Sequence, residues 1–302
     1  MENAGSGPRE SQFSQGSAGP GLAEVFVVWA LCGAIALAIL VTYSRIPHEK
    51  LYHVSGDGLS GGLSRVVFFV NWPGALIASA VLGIVVERTR RPLVALVALV
   101  LCLVIFIPGV LDQADLDAKW INVLPAIGVL IVLLLSVAAA RSGGLGGWGS
   151  PRGDGVRIAA FVVLALVSLP WFFAELGFHI PGGVFLSSEV YEGAAAVHLG
   201  EHHGFVGLQV VAAMLLLSRE LPRLRAGWRR TALAAWMSGL IAYGLGNIAN
   251  DAWGEQVVKR GWTDWGLPSV VRPSINWLWL VVLAVGAAIF LLQRRYLLDA
   301  KD

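Results

Sequence analysis

Eight long, uninterrupted apolar runs constrain this chain more than any other feature of its sequence. Of the 302 residues, 56% are hydrophobic and 14% are charged, against about 25% charged residues in soluble domains. A helix needs about 20 apolar residues to cross a bilayer, and lipid accepts only helices or closed barrels because backbone polar groups must pair internally. The runs do not alternate, so they predict an all-α, polytopic integral membrane bundle. Its eight predicted transmembrane helices cover residues 23–43, 65–86, 93–111, 122–140, 157–179, 194–218, 231–250 and 275–293.

The ends of the chain differ in composition from its apolar body. Residues 1–20 are rich in Gly, Ser and Pro, which predicts a disordered tail. Residues 21–296 form one predicted transmembrane domain, and residues 297–302 form a short C-terminal tail.

The basic residues are distributed unevenly among the connections. Fifteen of the 22 Lys and Arg residues fall in the N-terminal tail and in segments 87–92, 141–157, 219–230 and 294–302. Because cytoplasmic loops carry the excess of Lys and Arg, this distribution predicts that both termini are cytoplasmic. The chain is therefore predicted to be a multi-pass protein of the cell membrane, in contact with membrane lipid. Arg outnumbers Lys by 18 to 4, and this composition indicates a prokaryotic cytoplasmic membrane.

The predicted topology places all six histidines on the extracytoplasmic side. Three of them occur in one short stretch, His198-Leu199-Gly200-Glu201-His202-His203. Polar residues spaced four apart also lie at three predicted helix ends, and residues at that spacing share one helix face. The three pairs are Glu175 with His179, His198 with His202, and Asn247 with Asp251. If the three faces converge, they enclose a pocket of imidazoles and carboxylates.

Such a pocket has the donor chemistry of a transition-metal site. Imidazole and carboxylate suit zinc, iron or copper, and a catalytic site keeps one coordination position open. The predicted ligands of this divalent metal are His179, His198 and His202, with Glu175 or Asp251 as the carboxylate. A haem held between two histidines on different helices is an alternative that ranks lower.

Two further residues of the stretch are predicted to take part in catalysis. Glu201 is expected to act in acid–base chemistry or to orient a histidine ligand. His203 lies about 100° around the helix from His202, and we expect it to line the rim or carry protons.

These features predict a membrane-embedded, metal-dependent enzyme, a hydrolase or an oxidoreductase, with its site open to the extracytoplasmic face. Its substrate would be lipid-borne or a small apolar molecule. One alternative is a transporter, or an ion or proton pathway, that uses the same groups for cation or proton binding. Another is a scaffold subunit of a membrane complex, and a third is a hydrogen-bonded network without metal. The net charge of +2 is near neutral, and no basic cluster is interleaved with aromatic residues, so no nucleic-acid partner is expected.

Overall fold

The protein is built almost entirely of helices. The computed structural model describes residues 21–51, 56–107, 110, 122–149, 151–271 and 274–295. The predicted tails 1–20 and 297–302 lie outside these residues, as does His53. The helices are α1 (Ala23–Arg45), α2 (Gly58–Phe69), α3 (Ala75–Thr89), α4 (Pro92–Leu103), α5 (Val123–Gly143), α6 (Asp154–Val167), α7 (Leu169–Glu175), α8 (His203–Leu217), α9 (Trp228–Gln256) and α10 (Trp277–Gln293).

Several of these helices are long and apolar enough to cross a membrane, as the composition predicts. Five helical segments meet this description on their own, and the bent pair α6–α7 makes a sixth when its two parts are counted as one span. Two further apolar helices are shorter. The five segments are Ala23–Arg45, Gly58–Thr89, Val123–Gly143, His203–Arg223 and Trp228–Arg260, and the shorter helices are Pro92–Phe106 and Trp277–Gln293.

Two prolines interrupt the helices where they remove a backbone hydrogen-bond donor. Pro73 lies in a π-helical turn, Val70–Gly74, which joins α2 to α3 without ending the segment. Pro170 lies in the first turn of α7, just after a break at Ser168, and the chain bends there by 67°. Proline is tolerated at the first helical turn but blocks continuation of the helix that precedes it. The bend therefore separates α6 from α7.

Helix α8 lies inside the bundle, where it packs closely against α9. A Cβ atom added to Gly207 would lie 2.4 Å from the Gly244 carbonyl oxygen, and one added to Gly244 would lie 2.6 Å from that of Gly207. Small residues allow such close approach of helix backbones in membranes, where packing rather than the hydrophobic effect drives association. This crossing fixes α8 against α9 and therefore fixes the groups at its two ends.

A β-hairpin and an extended segment precede α8 and correct the predicted sixth span. Strand β1 (Val190–Tyr191) pairs antiparallel with β2 (Ala194–Ala195), and α8 begins only at His203. Gly200 has φ +98°, a left-handed conformation that interrupts a helix, and its N–H donates to the Ala174 carbonyl. The predicted helix over residues 194–202 is therefore wrong.

The ends of the fifth and seventh predicted spans also differ from the structure. Helix α7 ends at Glu175, and Gly177 with φ +81° reverses the chain before His179. His179 therefore does not share a helix face with Glu175. Helix α9 continues to Gln256, so it extends beyond the predicted end at residue 250.

Candidate functional site

The three polar stretches meet at one end of the bundle. The N–H of Gly204, in the first turn of α8, donates to Asp251 Oδ2 of α9 at 2.6 Å. The Gly200 N–H bonds to Ala174 in α7 at 2.9 Å, and His202 lies within electrostatic range of both Asp251 and His179. The three stretches are therefore neighbours, although only the Asn247–Asp251 pair lies within one helix and Glu175 lies apart from the histidines.

His198 and His202 lie face to face, held by tertiary contacts and not by helical spacing. Their ring centroids are 3.9 Å apart and their planes differ by 17°. Nδ1 of His198 lies 3.1 Å from the Leu199 carbonyl, and Nδ1 of His202 lies 3.0 Å from the Gly200 carbonyl. A carbonyl oxygen only accepts hydrogen bonds, so Nδ1 carries the proton in both rings.

Both rings are neutral at neutral pH because they are removed from water. Burial, together with the neighbouring His202 ring, lowers the pKa of His198 to about 3. Burial likewise lowers the pKa of His202 to about 4, against the opposing effect of Asp251. A neutral ring with its proton on Nδ1 presents a lone pair on Nε2.

The carboxylates beside His202 come from successive turns of α9. Glu255 Oε1 lies 3.4 Å from His202 Nε2, and Glu255 Oε2 accepts a 2.5 Å hydrogen bond from the buried indole N–H of Trp171. Asp251 accepts from the Gly204 N–H and so supplies the N-terminal cap that α8 lacks from its own N-cap residue. Lys259 extends across this group and donates to the Ala196 carbonyl.

Glu201 belongs to a second group, which also contains Glu175. Its backbone N–H donates to the Tyr43 hydroxyl at 2.6 Å, and its carboxylate lies within electrostatic range of Tyr43 and Glu175. Arg65 is the counter-charge of this group, and its guanidinium lies 5.5 Å from the Tyr43 ring centroid. Both carboxylate oxygens of Glu175 are buried, without a hydrogen-bond partner among the described residues.

His203 points in a third direction. Its ring lies 5.4 Å from the ring of Trp72, at an interplanar angle of 64°. The Trp72 indole N–H donates to the Tyr243 hydroxyl at 2.9 Å, and that hydroxyl donates to the Val271 carbonyl at 3.1 Å. Unlike Glu201 and His202, His203 is exposed. Glu201, His202 and His203 are consecutive, yet each lies in a different group of side chains.

The predicted metal ligands fall into two sets. His179, His198, His202 and Asp251 share one region, and Glu255 belongs with them, whereas Glu175 lies with Glu201, Tyr43 and Arg65. Nδ1 of His179 is buried, and no described residue is its hydrogen-bond partner. Two neutral imidazoles, an unpartnered third and two carboxylates are the donors that a zinc, iron or copper ion prefers.

A different group of side chains has three ligand atoms close enough together to share one metal ion. Ligand atoms of His48, Glu49 and Asp57 all lie within 4.8 Å of one another, which is true of no other three His, Cys, Asp or Glu side chains within the described residues. This group is exposed, and His48 Nδ1 lies 2.7 Å from Asp57 Oδ1. The Asp57 hydrogen bond raises the pKa of His48. The chain thus offers two candidate regions, one exposed and one buried.

Sequence reasoning missed three residues that complete the buried region. Glu255 follows Asp251 at the same spacing of four, but the predicted seventh span ends at residue 250. Tyr43 is the last residue of the first predicted span, and Arg65 is the first residue of the second. Their positions at predicted membrane boundaries were the signal that could have identified them.

The buried region contains ligand types that suit a cation and carboxyl groups of the kind that can hold a proton, but among its described side chains no three ligand atoms lie within 4.8 Å of one another. Comparisons of the chain with protein-family models, characterised proteins and solved structures find no match.

Proposed function

We propose that the chain is an eight-span protein of the prokaryotic cytoplasmic membrane, with both termini in the cytoplasm. We further propose that it is a metal-dependent hydrolase or oxidoreductase whose site faces the extracytoplasmic side. The observation that carries this proposal is the His198–His202 pair. Both rings are neutral, both have the proton on Nδ1 bound to a backbone carbonyl, and carboxylates lie next to them.

The hydrogen bond from Nδ1 to a backbone carbonyl is one that metal-binding histidines commonly make. A ligand histidine typically donates one ring N–H to a carbonyl or carboxylate, which fixes its tautomer and directs the other nitrogen at the metal. In the proposed site His198, His202 and His179 hold the ion, with Asp251 or Glu255 as the carboxylate. An ion held there would supply Lewis-acid chemistry toward water or a substrate oxygen.

The protein groups around the proposed ion supply binding and proton transfer. Glu255 is oriented by Trp171 and can accept a proton near His202. Glu201 and Glu175 lie beside Arg65, which balances one negative charge and leaves a carboxyl available to hold a proton. Exposed His203 lines the entrance next to Trp72. The apolar surroundings favour a lipid-borne or small apolar substrate.

Elemental analysis of the purified protein tests the proposal and distinguishes the two candidate regions. We expect stoichiometric zinc, iron or copper in the wild type, and its loss in His202→Ala and His198→Ala. His48→Ala is the matched control, because it removes the histidine of the exposed group, and it should retain the metal. Metal that is lost only from His48→Ala would move the site to the exposed His48, Glu49 and Asp57 group. Wild-type protein without metal or haem, whatever the variant, would refute a metalloenzyme.

A second function is favoured by one observation, the buried Glu175 carboxylate without a hydrogen-bond partner among the described residues. Such a group within a membrane span is typical of proton or cation pathways. Proton or cation flux through liposomes containing the protein, lost in Glu175→Gln, would support that function. Stable partner proteins that co-purify with a metal-free chain would instead support a scaffold subunit.

A further inference from the structure

A buried pair of carboxyl groups lies at the arginine-rich end of the bundle, opposite the histidine site. Glu24 belongs to the first turn of α1, and Glu220 belongs to the 3₁₀ turn Ser218–Arg223, which directly follows α8. Both glutamates are 0% exposed. The whole length of α8, His203–Leu217, lies between this turn and the histidines. The role of the pair therefore does not depend on the proposed function.

The two carboxyl groups lie within hydrogen-bonding distance of each other. Oε2 of Glu24 and Oε2 of Glu220 are both buried, and no described residue donates a hydrogen bond to either atom. An ionised carboxylate can only accept hydrogen bonds, so two ionised groups at this distance would repel each other. One proton between them removes the repulsion and supplies the missing donor.

The arginines beside the pair bind the other oxygen of each carboxyl group. Nε of Arg219 donates to Glu24 Oε1 at 3.1 Å, and Nη1 of Arg223 donates to Glu220 Oε1 at 2.5 Å. Nη1 of Arg223 also lies 3.7 Å from Glu24 Oε2, which is longer than a hydrogen bond. The arginines therefore do not satisfy the two Oε2 atoms.

The surrounding charges allow one carboxyl group of the pair to be neutral. Asp154 of α6 lies 3.1 Å from Arg157 Nη1 and 2.5 Å from Arg219 Nη1. Together with Glu24, these residues form a group of two positive and two negative charges. The side chain of Arg223 is 26% exposed, so water solvates part of its charge. The second glutamate of the pair is therefore not needed as an anion.

Backbone at the start of α1 lies against the pair and is fixed there. The N–H groups of Leu22 and Ala23 donate to the Leu145 carbonyl at 2.7 and 3.1 Å. A Cβ atom added to Gly21 would lie 3.0 Å from Glu220 Oε1. With both glutamates removed from water, ionising the two groups together would bury two negative charges in contact, which is costly.

We infer that Glu24 and Glu220 share one proton and form a proton-binding site that joins α1 to the end of α8. The proton lies in the hydrogen bond between the two carboxyl groups, so that one group is an acid and the other a carboxylate. The joint then consists of this bond and the contacts with Arg219 and Arg223. Loss of the proton in alkali leaves two negative charges facing each other and weakens the joint. The site is therefore a pH-sensitive connection between the two helices.

Infrared spectroscopy of the full-length protein in liposomes tests the inference, because a protonated carboxyl group has a carbonyl band that an ionised group lacks. At neutral pH we expect Glu220→Gln to lose the intensity of one carboxylic acid relative to the wild type. Glu49→Gln is the matched control, since its side chain is 67% exposed, and it should lose none. The difference band between the wild type and Glu220→Gln should disappear reversibly as the pH is raised.

Melting temperatures distinguish a shared proton from an ordinary ion pair. The amide of Glu220→Gln can donate to Glu24 and still accept from Arg223, so the melting temperature should be unchanged. Glu220→Ala leaves Glu24 without a partner and should lower it, on the order of 3 °C or more. Asp154→Asn should lower it as well, because Asp154 is the ionised carboxylate between two guanidinium groups.

Each of these measurements has an outcome that overturns the inference. An unchanged acid band in Glu220→Gln would mean that both glutamates are ionised. An equal loss of melting temperature in Glu220→Gln and Glu220→Ala, or failure of Glu220→Gln to fold, would mean that Glu220 is needed as an anion. If Glu220→Ala does not fold, the spectra of the wild type and Glu220→Gln still decide.

Discussion

The indole N–H of Trp171 donates to Glu255 Oε2 at 2.5 Å and so joins α7 to α9 beside the histidines. Trp171 is fully buried, and a Cβ atom added to Gly204 at the start of α8 would lie 2.4 Å from its ring. The indole therefore contacts α8 as well as α9. It holds the carboxylate whose other oxygen lies 3.4 Å from His202 Nε2.

Trp171→Phe should destabilise the protein by about 1–3 kcal/mol, because it leaves a buried carboxylate oxygen without its donor. Thermal unfolding in detergent measures the change. Trp262→Phe is the matched control, since Trp262 is 72% exposed, and it should have little effect. Equal shifts for the two variants would mean that the hydrogen bond contributes nothing of its own.

The crossing of α8 and α9 predicts that alanine substitutions at two glycines of α9 affect stability in different ways. Gly244→Ala should destabilise the protein by about 1–3 kcal/mol, because the new methyl group would meet the Gly207 carbonyl. Gly239→Ala meets nothing within 4 Å and should be neutral or stabilise by up to about 1 kcal/mol through helix propensity. The two melting temperatures give the comparison. Stabilisation by both variants would show that the helices do not cross at Gly244.

Gly200 combines a left-handed backbone with a close neighbour, and a second glycine separates the two effects. Gly193→Ala, at φ +85° with open space around it, should cost about 1 kcal/mol from backbone strain alone. Gly200→Ala, at φ +98°, would also place a methyl group 2.3 Å from the Tyr43 hydroxyl. We expect its loss of unfolding free energy to be at least twice as large, and a smaller loss than in Gly193→Ala would contradict the Tyr43 contact.

The two neutral histidines contribute a decrease in stability in acid. The pKa values of His198 and His202, about 3 and about 4, lie below the value of about 6.5 for an unfolded histidine. As the pH falls below about 6.5 the unfolded chain takes up protons first, so stability decreases until the folded pKa values are reached. Well above pH 6.5, these two histidines add no pH dependence to the stability.

Melting temperatures of the chelator-treated protein between pH 7 and pH 4 test this dependence. His202→Asn should reduce the slope, because it removes one of the two groups. His48→Asn should not reduce it, because His48 is exposed and its pKa is raised rather than lowered. An unchanged slope in His202→Asn would mean that the ring is not buried in neutral form.

The ion pair at the opposite end of the bundle predicts a large effect on stability. Glu24 is fully buried, and its Oε1 lies 3.1 Å from Arg219 Nε. Glu24→Ala should cost about 3–5 kcal/mol, because it leaves a buried guanidinium with fewer counter-charges. Glu49→Ala, at a side chain that is 67% exposed, should be close to neutral. A small effect of Glu24→Ala in thermal unfolding would show that water reaches Arg219.

Apolar run length was enough to predict the helical membrane body, because continuous hydrophobicity has few other solutions in lipid. The break between α6 and α7 also has a local cause in the sequence, because Pro170 cannot continue the preceding helix. The same reasoning failed over residues 194–202, where the chain is apolar enough for a helix but Gly200 takes a left-handed turn. Hydropathy does not report backbone reversals inside a bundle.

The candidate site could be predicted only in part, for a related reason. Spacing of four correctly paired Asn247 with Asp251, since α9 is continuous there. His198 and His202 do lie together, but not through helical spacing, because their rings meet through an extended segment. It could not find Tyr43 or Arg65, because their contact with the Glu201 region depends on which helices are neighbours.

Glu201, His202 and His203 contact different partners, and this fixes the number of residues between Gly200 and Gly204. The Glu201 backbone N–H donates to Tyr43, the His202 ring faces Glu255, and the His203 ring faces Trp72. Insertion or deletion of one residue between Gly200 and Gly204 would move every side chain to the wrong partner at once. The turn of the β-hairpin has no such constraint, because its residues are exposed. We therefore expect this region to tolerate a change in chain length only within the hairpin.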